Sequence, residues 1–157
     1  MKKQQFRSIL AVAVMIGMFA FVLSAPQTAA AQSGSGSGTL IADGDGLAGI
    51  RGNGEVSISG NGILWIRDDA GDAEIEVSGN GHKVELPSGW IRYTGFDGEA
   101  EVHGSRITVA LSGVNIHLEA TGSGKFVLRG SGTYSVESDG ETITGVWPDR
   151  VEVQRIP

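Results

Sequence analysis

From Thr39 onward the chain alternates apolar and polar positions in short runs broken by glycine. The apolar members are Val56/Ile58, Ile75/Val77, Val84/Leu86, Ile107/Val109/Leu111, Ile116/Leu118, Phe126/Leu128 and Tyr134/Val136. A period of two puts all the apolar members of a run on one face of a strand. No stretch after residue 38 holds helical spacing over three turns, and glycine supplies a turn signal between runs, so the pattern predicts an all-β domain.

The runs repeat. Residues 52–67, GNGEVSISGNGILWIR, align with residues 122–137, GSGKFVLRGSGTYSVE, with all four glycines and all four apolar positions in step. The inward set is therefore Val56, Ile58, Leu64, Ile66, Phe126, Leu128, Tyr134 and Val136. Glycines at 52, 71, 89, 104, 122 and 140 mark steps of about 17–18 residues, and a second set at 62, 79, 98, 113 and 130 falls between them. Two architectures fit a unit of strand, turn, strand, turn. One is a short β-solenoid of two-strand coils whose equivalent strands stack in parallel. The other is an antiparallel meander, closed as a sandwich or barrel, in which Ser112-Gly113 as a two-residue loop would pair Leu111 with Val114 and Val109 with Ile116. A meander needs no fixed period, and the sustained period favours the solenoid.

The segments IEVSGNGHKVELPSG (75–89) and IHLEATGSGKFVLRGSG (116–132) resemble the repeats of the auto-transporter adhesin head domains called GIN domains, which alternate strands with Ser-Gly-Ser-Gly-like turns. The resemblance spans about half of the chain beyond residue 31. It implies a secreted bacterial β-solenoid, adhesin-like in role, and carries no catalytic residues with it.

The N-terminal residues change the setting. Lys2, Lys3 and Arg7 precede an apolar run from Ile9 to Leu23, and Ala29-Ala30-Ala31 follows. These are the three parts of a secretory signal, and the run is short of the roughly 20 residues that span a bilayer. The expected organisation is a signal-peptide helix at 1–31, a Gly/Ser lead-in at 32–38 and a β-repeat domain at 39–157, secreted to an extracellular or periplasmic site and touching membrane only during export. All 18 Asp and Glu lie after residue 31, with only nine of the 12 Lys and Arg, which leaves that portion at −9. Such a balance argues against nucleic acid as a partner. With no cysteine the fold holds by its core and hydrogen bonds alone.

Candidate chemistry is sparse. No Gly-x-Ser-x-Gly turn joins a strand to a helix and no two carboxylates are singled out, so an enzyme is not expected. His82, His103 and His117 lack the close spacing of a zinc motif. Inward Ile66 and Ile91 turn Trp65 and Trp90 outward, in the matching strings Trp65-Ile66-Arg67 and Trp90-Ile91-Arg92. Outward tryptophans stack on sugar rings or anchor a protein partner, so Trp65, Arg67, Trp90 and Arg92 form the candidate binding site for a surface glycan or protein. In a parallel solenoid Arg67, Glu85, Glu101, Glu119 and Glu137 would form one column, and the four glutamates would be a candidate calcium site. Asp43, Asp45 and Asp68 to Asp72 read as turn-forming acids.

Overall fold

The structure, a computed structural model, describes residues 37–150 and 152–156. The signal segment and most of the Gly/Ser lead-in lie outside the described residues. Five strands follow one another: β1 (Gly38–Asp68), β2 (Glu74–Glu85), β3 (Trp90–Ser138), β4 (Glu141–Val146) and β5 (Glu152–Ile156). They form one antiparallel sheet in which β3 pairs with all the others. The all-β expectation holds.

The pairing explains the length of β1 and β3. Most residues of β1 have two partners on β3: Leu40 lies opposite both Ala120 and Val136, Ile58 opposite Ala100 and Leu118, Ile66 opposite Ile91 and Val109. One set of partners belongs to a single long hairpin. Its tip is residues 86–89, and its arms match Glu85 with Ile91, Val77 with Ala100, Ile58 with Leu118, Ala48 with Leu128 and Leu40 with Val136. The second set of partners joins that hairpin to its own earlier and later portions.

Local chemistry makes the tip. The Gly89 N–H donates to the Leu86 carbonyl at 2.9 Å and the Leu86 N–H to the Trp90 carbonyl at 2.8 Å. Pro87 supplies the fixed φ that a turn wants at its second position, and Gly89 takes φ 82. The second hairpin, β3 to β4, turns on Asp139 (φ 52) and Gly140 (φ 78), the two left-handed residues of a type I′ loop. Ser112-Gly113 makes no turn. It runs through the middle of β3, with Leu111 opposite Ala48 and Leu64 rather than Val114. Every pairing is antiparallel, so the parallel stacking expected of equivalent strands does not occur among the described residues.

The registers sort the strand segments into two sets. Segments 39–45, 54–60, 74–80, 98–104, 116–122 and 131–137 pair among themselves. So do segments 46–52, 61–68, 82–85, 90–97, 107–113 and 124–130. The chain crosses from one set to the other at glycines. Gly54 and Gly122 show why: they are paired, both at positive φ, and a Cβ on Gly54 would strike the Thr121 carbonyl oxygen. Only glycine allows the two backbones to approach that closely.

The buried residues of both sets form one cluster. Leu40, Ile58, Leu64, Ile66, Val109, Leu111 and Leu118 are fully buried, although no helix covers the sheet among the described residues. The sheet therefore covers itself. Seven of the eight residues expected inward are buried, and Tyr134 is half-buried against the cluster with its ring 5.7 Å from Phe126. Trp147, to which the sequence pattern assigns no role, is also buried, and its Nε1 donates to the Thr133 carbonyl at 3.0 Å.

Candidate functional site

Ile66 and Ile91 are paired and face the core, so their neighbours in sequence face outward. Because β1 and β3 are antiparallel, the two Trp-Ile-Arg strings meet head to tail. Trp65 lies opposite Arg92, and Arg67 opposite Trp90. The result is an interlocked square. The indoles meet edge to face, with centroids 6.1 Å apart at 89°. The Arg92 guanidinium sits 5.4 Å from the Trp65 ring centre, and that of Arg67 sits 5.6 Å from Trp90. The aromatic pair is worth about 0.5–1.5 kcal/mol beyond burial, and each cation–π contact about 0.5–1 kcal/mol at an exposed site.

The structure thus brings all four candidate binding residues together. Both tryptophans are half-buried rather than freely projecting, and each carries a guanidinium against its ring. Arg67 also pairs with Asp69, Nε to Oδ1 at 2.6 Å, and Asp69 holds Arg51 through its other oxygen at 3.2 Å. Arg92 has no carboxylate partner among the described residues, and its buried Nε has no hydrogen-bond partner. Pinned on Trp65, Arg92 is a fixed cation with unspent donors.

The glutamate column does not form, because neighbouring strands are antiparallel. Glu101 and Glu119 stand in one row on either side of Ser57. Glu137 lies in the next row, opposite Thr39. Glu85 is in the other set of segments, bound to Lys83 at 2.7 Å, which holds its carboxyl below the usual range. Arg67 is turned to Asp69 rather than Glu85. Among the described residues no three His, Asp or Glu side chains converge as a metal cluster.

Asp43 and Asp45, expected in a turn, lie within β1 instead, paired to β3; the acids of the 68–72 loop do form a turn and have structural partners. Asp68 accepts hydrogen bonds from the N–H groups of Ala70, Gly71 and Ala73 at 2.9, 2.7 and 2.9 Å, and the Ala73 bond leads in lowering its pKa. Asp72 accepts from the Ser105 N–H, which lowers it likewise. At two other corners a side-chain oxygen on β1 captures the N–H of a left-handed residue on β3. Asn53 takes that of Arg106 (φ 48), and Asp45 takes that of Asn115 (φ 53). His117 meets Asp43 at 2.6 Å on an exposed row. An open groove of about 410 Å³ lies beside β4, lined by Ile41, Asp43, Tyr134 and Val146 among others.

Comparison with known proteins gives no match: no family model, no curated protein and no solved structure aligns with this chain.

Proposed function

We propose that this chain is an exported, non-enzymatic adhesive module. Its binding surface is the face carrying Trp65, Arg67, Trp90 and Arg92, and its ligand is a surface glycan. The observation that carries this reading is the interlocked square itself. Two indoles and two guanidiniums, 25 residues apart in sequence, are held rigidly on one outward face, and one of the cations has no partner. Rigid aromatic and Arg groups are the usual anchors of recognition surfaces.

The GIN-like strand and glycine pattern supports an adhesive role outside the cell, and the Lys2 to Ala31 segment supports export. The repeat we read as solenoid-like winding of a hairpin. In support, the two β3 partners of a β1 residue stand one repeat apart: 16 residues for Leu40, 17 for Leu47 and 18 for Gly54.

Export predicts a mature N-terminus at Gln32, checked by mass spectrometry of secreted protein; an intact Met1 start in the membrane fraction contradicts it. For binding, the test is a glycan array read alongside tryptophan fluorescence. Wild type should bind and change its emission. Trp65→Ala should lose binding and melt several degrees lower without unfolding, since it gives up about 1–2 kcal/mol of aromatic and cation–π contact together with the partial burial of the indole. A Trp65→Ala protein that binds as well as wild type returns the square to a purely structural role.

A further inference from the structure

The net negative charge conceals a division between the two faces of the fold. On the segments of the first set, the outward positions carry Asp43, Glu55, Glu74, Glu76, Glu99, Glu101, Glu119 and Glu137, with no Lys or Arg. On the second set and the β5 strand paired to it, the outward positions carry Arg51, Arg67, Arg92, Lys125, Arg129 and Arg155, and one strand carboxylate, Asp97, which stands opposite Asn61 two rows beyond Trp65. One loop acid, Asp69, reaches in to Arg51 and Arg67.

The basic face is ordered in rows across the strands. One row reads Trp90, Arg67, Thr108, Arg51, Lys125, Arg155. The next reads Arg92, Trp65, Ala110, Gly49, Val127, Val153. At a strand spacing of about 4.8 Å each row is roughly 24 Å long. Cations therefore run in a line beside a parallel line of apolar side chains, with the Trp–Arg square closing one end.

We propose that this face binds a linear acidic polysaccharide laid across the strands. The proposal rests on the adhesive reading above and names its ligand class. A polyuronate is amphipathic in the same way as the face, with carboxylates along one edge and the C–H faces of its rings on the other. One pyranose residue is close to one strand spacing in length. The carboxylates meet the row from Arg67 to Arg155, and the ring faces lie on Trp65, Val127 and Val153. Gly49 brings no side chain to this row and is covered by its neighbours, since a Cβ there would meet Ala110 at 3.0 Å and Val127 at 3.4 Å. Arg51, Lys125 and Arg155 stand directly opposite one another on adjacent strands, an arrangement of like charges that destabilises a sheet. A bound polyanion relieves it. Single-stranded nucleic acid fits less well, because successive bases need successive aromatic platforms, and beyond Trp65 the apolar row is aliphatic.

The experiment titrates the protein with polygalacturonate and with its fully methyl-esterified form, which keeps the backbone and loses the charge. The acid form should bind and raise the melting temperature, and its affinity should fall at least tenfold between 50 and 200 mM salt, as counterion release requires. The esterified form should bind at least tenfold more weakly. Lys125→Glu combined with Arg155→Glu should lose at least tenfold for the acid form while melting as wild type does, because both side chains are exposed. Equal binding of the two polymers, or no loss in the double variant, overturns the proposal but leaves the adhesive reading standing. Tighter binding of a thymidine 20-mer or of phosphatidylglycerol vesicles than of polygalacturonate overturns it in favour of those partners. An array on which no glycan binds removes the adhesive reading beneath it.

Discussion

At the scale of single residues, the fold is governed by what sits at its corners. Asp68 shows this most plainly. Three backbone N–H groups of the 69–73 loop point at its carboxylate, with Arg106 adding a favourable charge, so its pKa is depressed. A depressed carboxylate stabilises the folded state above its unfolded pKa, about 3.9, and that contribution disappears as the pH falls through the lower folded value. Asp72 acts in the same direction. We therefore expect the melting temperature to fall as the pH drops below about 4. Asp68→Ala should lower stability at neutral pH and flatten that acid decline. Thermal melts between pH 2 and 7 decide it, and a variant with the wild-type pH dependence contradicts the role given to this side chain.

At the scale of elements, the alternation of apolar residues is what the sequence makes legible. It identifies Val56, Ile58, Leu64, Ile66, Phe126, Leu128 and Val136 as core, while the repeated glycines, which read as turns, are mostly points where the long strands β1 and β3 run on from one set of pairings to the other. Strand direction was not legible. A fixed period follows equally from parallel coils and from a hairpin that returns along itself, because both present an equivalent residue every 17–18 positions. What decides between them is the turn chemistry at two loops, Leu86-Pro87-Ser88-Gly89 and Asp139-Gly140. The second, an Asp-Gly pair between alternating runs, is the signal that could have revealed a hairpin. Antiparallel pairing also makes new cross-strand neighbours, among them Glu76 directly opposite Glu101 on the acidic face. Opposed like charges cost about 0.2–1 kcal/mol. Glu101→Lys should therefore raise the melting temperature at low salt, and the gain should shrink in high salt. A loss of stability would show that these two carboxylates are not neighbours.

At the scale of the whole molecule, the consequence of antiparallel pairing is the face proposed above as the binding surface. The two Trp-Ile-Arg strings were visible in the sequence as matching words, and their outward direction followed from Ile66 and Ile91. Only head-to-tail pairing sets each tryptophan against the other string's arginine. The same pairing distributes charge by face. A net charge of −6 says nothing of this, because the bases of the described strands gather on the second set while most of the outward acids gather on the first. The central claim is that the face bearing Trp65, Trp90 and the basic row is the working surface, and the acidic face is not. It is tested most directly by mapping backbone amide NMR shifts during a titration with polygalacturonate. The account predicts perturbations concentrated at residues 49–51, 65–67, 90–92, 108–110 and 125–127. Perturbations centred on Glu101, Glu119 and their row, with the tryptophan strings unmoved, would contradict it.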